Sequence, residues 1–482
     1  MASHVWLPVA LVLLPFVGAL LAFAATAFSP GREKPVVLAC AIAVFVLAAR
    51  LLVAVSLGES IALHIPLPLA LGLQLNADYL AAFMALVTAL VMLPVLLFSW
   101  DFVPVERGRC EYFAVLNALC GALMGVIFSR NLAWIFFFME IVSLCLWRLA
   151  LLRRGERDME NANRMLAADA AGSLLFLLGT VIVYVDYGSP LLDSVKGEFV
   201  SVSAVLALVA ALFAKAGLLP FSSRLEAAGA GMPATAGALA CTLSGAVCGA
   251  YLFARIFCVP GRLGPAWEVA IIFSAGIGAL VSSGAALIEN NMRRALACLA
   301  AACSGMAFMG LATMTKAGVG GGLLCLLVYP LAGTGLFLCS DIAQQRAGGG
   351  DMARMGGMYG VLPFTAAAFA VCGAAVMGLP PFGGFFCQLL LFKGMAAFSN
   401  PVLFVIMTAA FVMQALVLPR VFYLVFLGAD KTPQPPAPGR EAVPTQLASL
   451  AFVAGVCLLA GLLVYYPAHY IEELCLQLGV TL

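Results

Sequence analysis

The chain has 482 residues, 64% of them hydrophobic and only 10% charged, where a soluble domain carries roughly 25% charged residues. A net charge of +2 and the lack of any Lys/Arg tract argue against nucleic acid as a partner. The composition is that of an all-α polytopic membrane protein embedded in a lipid bilayer.

Apolar runs of about 20 residues, long enough to span, fall at 5–28, 36–57, 78–100, 112–129, 131–152, 164–187, 199–219, 234–258, 267–288, 294–314, 319–343, 361–396, 402–427 and 446–467, so about fourteen helices are predicted. The first run is too long for a signal-peptide core and is read as a retained helix. Between the second and third runs, Ser60 to Asn76 contains Pro66 and Pro68 and alternates in part, which suits a short β-hairpin or an extended segment at the surface with His64 at the interface.

Odd-numbered connections hold Arg32, Lys34, Arg107, Arg109, Arg153, Arg154, Arg157, Arg164, Arg224, Arg293, Arg294, Arg346, Arg354, Lys431 and Arg440. Even-numbered ones hold only Arg130, Lys196, Arg262 and Lys316. The positive-inside rule then places both termini outside, and the membrane is expected to be a bacterial or archaeal cytoplasmic (inner) one. A Pro-rich stretch, 429–445, reads as a cytoplasmic linker before the last helix.

The seventh run carries Lys215 and then breaks at Gly217-Leu218-Leu219-Pro220-Phe221. A mid-membrane lysine costs roughly 2.5–3.5 kcal/mol on insertion scales, so it calls for a partner or a wet cavity. The break returns as Gly378-Leu379-Pro380-Pro381-Phe382 in the twelfth run, five helices later and therefore in the opposite direction. Gly/Pro breaks at matching places in two halves point to two inverted five-helix repeats. The expected organisation is 1–110 as three helices with the hairpin, 111–258 and 259–428 as the repeats, and 429–482 as linker and last helix.

Glu140, mid-span among aromatic residues, is the natural partner of Lys215, and the pair is the candidate ion-translocation site. Lys393, Gln388, Tyr329, Arg148 and Asp169 are secondary relay candidates. Of these, Arg148 is expected to snorkel to the interface. Asp169, one or two turns inside a helix starting near Arg164, is expected to be structural, favoured there by the helix dipole. Arg50, Arg420 and Asp341 lie near predicted cytoplasmic ends and are read as interfacial. Fifteen cysteines fall mostly in apolar runs, without CxxC or Cys/His ligand spacing, so neither metal nor iron–sulfur cluster is expected in this chain.

The chain resembles the antiporter-like subunits of respiratory complex I, energy-converting membrane-bound hydrogenases and Mrp-type antiporters. The resemblance rests on Asn131-Leu132 through Phe138-Met139-Glu140, on Lys215 with Pro220-Phe221, on Ala250-Tyr251 through Arg255, on Glu289 to Arg294, and on Asp351 to Gly357, Pro363 and Gly378 to Gly384. It implies a membrane subunit of a redox-driven proton- or sodium-translocating complex, with NADH dehydrogenase-related or hydrogenase-type partners. Iron–sulfur clusters and a flavin or NiFe centre would sit in peripheral redox subunits, and other antiporter-like and small membrane subunits would flank the chain. Alternatives are an Mrp-type cation/proton antiporter subunit and a non-pumping scaffold. The family's eighth-helix histidine and lysine fall at Cys241 and Val247, its eleventh-helix histidine and lysine at Tyr329 and Gly333, and its charge after the second break at Gln388. The second half-channel is therefore expected to be partly degenerate.

Overall fold

The computed structural model describes residues 5–28, 31–59, 61–65, 72–101, 108–153, 156–195, 197–259, 262–429 and 441–480. Pro66, Pro68, Arg107, Arg154, Lys196, Lys431, Arg440, most of the Pro-rich linker and the side chain of Arg157 lie outside them. Among the described residues twelve helices are long and apolar enough to cross a membrane, with three shorter apolar helices beside them.

The chain begins with α1 (Trp6–Phe28) and α2 (Glu33–Ser56), followed by strands β1 (Ile61–Ile65) and β2 (Leu73–Ala77). The strands pair antiparallel from Ile61 opposite Ala77 to Ile65 opposite Leu73, forming the expected hairpin, and His64 is exposed. Helix α3 (Tyr79–Phe98) starts on the hairpin side, capped by Asp78, whose carboxylate accepts from the Ala81 amide at 2.9 Å. Helices α4 (Arg109–Phe128), α5 (Leu132–Ala150), α6 (Glu156–Tyr187) and α7 (Val202–Ala216) follow, and α7 stops at the break. The short α8 (Ser223–Gly231) continues beyond it, and α9 (Ala234–Phe257) returns to the hairpin side through two π-helical turns.

The second stretch comprises α10 (Pro265–Ile288), α11 (Met292–Ala312), α12 (Lys316–Ala347), α13 (Pro363–Met377), the second break, α14 (Gly383–Ala397) and α15 (Pro401–Leu427). Then come α16 (Pro444–Leu462) and a helix not expected from the sequence, α17 (Tyr465–Gln477). Helix α9 is buried throughout its apolar span and α11 and α12 nearly so, and these helices form the core while α2, α15 and α16 lie at the rim.

The same architecture occurs twice. Asn131 caps α5 and its segment bridges to Leu191 past the end of α6; Asn291 caps α11 and its segment bridges to Asp351 past the end of α12. The hydrogen bonds match: Leu132 amide to Pro190 carbonyl (3.0 Å) and Leu192 to Arg130 (3.1 Å), against Met292 to Gly350 (3.0 Å) and Met352 to Asn290 (2.9 Å). Helices α6 and α12 both have 32 residues, and α7 and α13 both have 15. Both breaks turn through a left-handed glycine, Gly217 at φ 69° and Gly378 at φ 71°, with the Leu218 and Leu379 amides reaching back to the Phe213 and Ala374 carbonyls. Because the Arg130 amide bonds to Gln74 of the hairpin, α5 starts on the hairpin side; tracing the chain puts the start of α11 on the other. The two stretches are inverted with respect to each other.

Three sequence expectations are corrected by these bounds. Helix α6 begins at Glu156 and not near Arg164, because its charged opening turns hide the start from hydropathy. Asp341 is not interfacial: it is 4% exposed and pairs with the buried Arg293, whose guanidinium also donates to the Met232 carbonyl. Arg224, assigned to a cytoplasmic connection, is buried inside the protein, because the chain re-forms helix after Pro220.

Candidate functional site

The α7 break is where buried charge collects. Lys215 sits in the last turn of α7 at 2% exposure, one residue before the chain turns away through Ala216 and Gly217. Its ammonium donates to Ser143 Oγ on α5 at 2.9 Å and lies 3.6 Å from Asp169 Oδ1 on α6. Gly172, one turn beyond Asp169, permits the approach: a Cβ there would lie 3.0 Å from the Ala214 side chain and 3.7 Å from Lys215 Cε. Gly249 does the same for α9, where a Cβ would meet Ala216 at 2.8 Å.

Arg224, on the far side of the break, completes the cluster. Its Nε donates to Asp169 Oδ1 at 2.6 Å, Nη1 to the Lys215 carbonyl at 2.6 Å, and Nη2 to Ser244 Oγ at 2.9 Å. One guanidinium thus satisfies a carboxylate, a carbonyl near the helix end and a hydroxyl on α9, using the fixed fork of donors only arginine offers. Asp169 Oδ2 and Ser173 Oγ, on neighbouring turns of α6, are buried without hydrogen-bond partners.

The pairing differs from the sequence expectation. Lys215 contacts Asp169 and Ser143, while Glu140 stands one turn before Ser143 on α5, half-buried, with its Oε1 unpartnered. On the same face Phe137 and Leu144 are 50% and 52% exposed, so Glu140 stands near the outer edge of the bundle with its Oε1 buried. Asp169 is not near a helix start; it lies about three and a half turns into α6, beyond the reach of the helix dipole, and its buried charge is compensated by Arg224 and Lys215. Ser143, Arg224 and Ser244 were missed in the sequence. Only the carboxylate-bearing α6 and the five-residue break, read as a mid-membrane turn, could have pointed to them.

The remaining candidates lie elsewhere. Arg148 pairs with Glu111 at 2.5 Å, at the start of α4. Lys393 is exposed and lines an outer cleft with Lys316 and Glu472, which pair at 2.6 Å. Gln388 is 5% exposed and donates to the Val376 carbonyl at 3.2 Å, tying α14 across the second break. Tyr329 lines an internal cavity between α9, α11, α12 and α13, whose wall also includes Ala300, Cys303, Gly333 and Val376, and its hydroxyl has no hydrogen-bond partner. A Cβ on Gly333 would meet Thr242 at 2.7 Å, so the close fit of α9 on α12 accounts for the missing side chain there.

Near the hairpin, Arg255 and Arg130 converge on Asp78, and Arg255 also donates to the Tyr251 hydroxyl. Burial alone would raise the Asp78 carboxyl, but the two guanidinium groups hold it below its ordinary range.

Residues 129–413, which contain both breaks and the charged cluster, match the family NADH:quinone oxidoreductase/Mrp antiporter, transmembrane. The chain belongs to this family. Like its other members, it is an antiporter-like membrane subunit of the kind found in complex I, hydrogenase-like and Mrp complexes. Over 378 residues it is 27% identical to NAD(P)H-quinone oxidoreductase chain 5 of Picosynechococcus sp., covering 73% of this chain and 56% of that one. Over 423 residues it is 25% identical to hydrogenase-4 component B of Escherichia coli, covering 80% of this chain and 62% of that one. The match thus takes in little more than half the length of these relatives. In fold, this antiporter-like subunit superposes on a chain of the Mrp complex from Dietzia sp. with a TM-score of 0.88 at 19% identity, covering 98% of this chain and 97% of the other.

Proposed function

We propose that this antiporter-like subunit moves protons or sodium ions in a redox-driven complex of the complex I or membrane-hydrogenase type, with Lys215 as the mobile charge. One observation carries the reading. A buried lysine at a helix break is held by the Ser143 hydroxyl and one carboxylate, and a second carboxylate, Glu140, whose Oε1 has no hydrogen-bond partner, stands one turn before that hydroxyl on α5. A cation with two alternative anionic partners is a two-state element whose balance a neighbouring subunit or a bound ion can tip. The exposed Phe137 and Leu144 beside Glu140 fit a flanking antiporter-like or small membrane subunit against α5.

On this reading residues 111–258 form the working repeat, 259–428 the second repeat, and 1–110 and 429–482 the surrounding helices. The hairpin face is outside, with both termini, in a bacterial or archaeal inner membrane. Iron–sulfur clusters and a flavin or NiFe centre belong to peripheral partner subunits. The neutral lining of the second cavity, Ala300, Cys303, Tyr329 and Val376, favours one further reading, in which the second half is closed to ions and serves as scaffold.

The test is ion flux in membrane vesicles holding the assembled complex. Lys215→Ala and Glu140→Ala are each expected to lower flux by about tenfold or more, with assembly unchanged. Flux at the wild-type level in an assembled Lys215→Ala/Glu140→Ala double variant would overturn the assignment. Copurifying redox subunits, against only small membrane subunits, separate the redox-driven complex from an Mrp-type antiporter.

A further inference from the structure

We infer that Arg224 is the positioning residue of this switch: it engages Asp169 so that Lys215 is not locked to that carboxylate and remains free to turn toward Glu140. The inference rests on the reading of Lys215 as the mobile charge and adds a residue with a distinct job.

Three observations support it. The first is the order of distances around Asp169 Oδ1, with Arg224 Nε at 2.6 Å and Lys215 Nζ at 3.6 Å. The guanidinium is the primary partner, while the ammonium makes its hydrogen bond to Ser143 on the helix that carries Glu140. A buried lysine alone with a buried carboxylate would form a tight pair, because attraction between unit charges grows as the dielectric falls. With Arg224 present, Asp169 is already compensated.

The second is how Arg224 is held. Its other donors go to the Lys215 carbonyl and to Ser244, which itself donates to the Ala240 carbonyl. At 2% exposure, anchored on α6, α7 and α9, the guanidinium is fixed in place. Of the two cations only Lys215 donates to the helix that carries Glu140.

The third comes from the other half of the molecule. Matching the two breaks residue by residue places Val376 where the first half has Lys215, and both carbonyls receive a side-chain donor from beyond the break. In the second half that donor is the neutral Gln388. Tying the carbonyl across a break therefore does not need a positive charge. The charge of Arg224 occurs where Asp169 and Lys215 occur, and its role concerns them.

The experiment uses the assembled complex in native membrane vesicles and reads ion flux per complex for Arg224→Gln, Arg224→Lys, Asp169→Asn/Arg224→Gln and Lys215→Ala. Arg224→Gln keeps a donor for the Lys215 carbonyl but leaves Asp169 to Lys215, and flux is expected to fall about tenfold. Arg224→Lys keeps the charge but loses the fork of donors, and flux is expected to fall between that of Arg224→Gln and wild type. Removing both charges in Asp169→Asn/Arg224→Gln releases Lys215 from the tight pair but also takes away one of its two anionic partners, and flux is expected to rise about threefold above that of Arg224→Gln without reaching wild type. A role confined to bracing the helices would not produce that rescue.

Wild-type flux in Arg224→Gln overturns the inference, and so does a double variant no better than the single one. Where Arg224→Gln does not assemble, the double variant is set against Lys215→Ala: flux about threefold or more above that variant supports the inference, and flux at its level overturns it. Wild-type flux in Lys215→Ala instead overturns the underlying reading of the site, which keeps the two failures apart.

Discussion

The two inverted stretches share helix lengths, caps, loop bridges and left-handed break glycines, yet differ in what lines their centres. Aligned without gaps from their capping asparagines and break glycines, Glu140, Ser143, Asp169 and Lys215 of the first stretch correspond to Ala300, Cys303, Tyr329 and Val376 of the second. The second four all line one internal cavity, and none carries a charge. The scaffold therefore forms with or without the charged set. What the charges add is not the fold, since the fold is built twice and charged once.

The comparison breaks most sharply at Asp169 and Tyr329. Asp169→Ala leaves Arg224 and Lys215 buried without their carboxylate, and is expected to cost about 3–5 kcal/mol, read as lower yield and a lower unfolding temperature of the detergent-solubilised complex. Tyr329→Phe at the corresponding place removes a hydroxyl that has no hydrogen-bond partner, so the unfolding temperature is expected to hold or rise slightly. Equal losses at the two positions would mean that the second cavity has a polar role of its own.

A transplant sharpens the comparison. Val376→Lys places an unpartnered ammonium in the second cavity and is expected to destabilise by about 2.5–3.5 kcal/mol. Adding Tyr329→Asp supplies the carboxylate found on α6, and the double variant is expected to recover part of that loss. Failure to recover, with the protein still folded, would show that the second stretch lacks more than its charges.

The shared part of the scaffold should respond alike in both halves. Gly217→Ala and Gly378→Ala each force a Cβ into left-handed backbone, at a cost of about 1–2 kcal/mol from conformation alone. Both also meet a neighbour, the Leu225 side chain in the first case and the Gln388 side chain in the second. Unfolding temperatures should fall in both variants, and a loss confined to one would separate the breaks as structural equivalents.

Much of this was legible in the sequence for a simple reason: hydrocarbon-length apolar runs and Gly/Pro breaks are one-dimensional signals. The pentapeptides at Gly217 and Gly378 were enough to suggest the inverted halves before any helix was seen. The charged centre was less legible because burial of a charge depends on helix ends that hydropathy places poorly. Asp169 looked terminal since Glu156 to Arg164 is too polar to count as span, although it is helical. Arg224 looked like a surface cation since the run was ended at Pro220, and nothing in an apolar pattern says that the chain re-enters the protein as α8. Glu140 stands out in the sequence as a mid-span carboxylate, but pairing it directly with Lys215 passes over a third helix, α6, with an acid of its own.

The smallest expected effect lies away from both centres, at the hairpin-side junction where α3, α5 and α9 meet. Asp78 caps α3 and receives Arg255 and Arg130, so its carboxyl is held below the ordinary value by charges that offset its burial. A depressed carboxyl contributes stability that is present above its unfolded value, about 3.9, and lost as the pH falls through its lower folded value. Asp78→Asn keeps the cap, since asparagine serves as well there, but gives up the ionic contact, and should cost about 1 kcal/mol. The gap in unfolding temperature between wild type and variant should thus be the same at pH 7 and pH 5 and close only below about pH 4. A gap that opened on acidification would have the opposite sign, and would mean that Arg255 and Arg130 do not stabilise the ionised form.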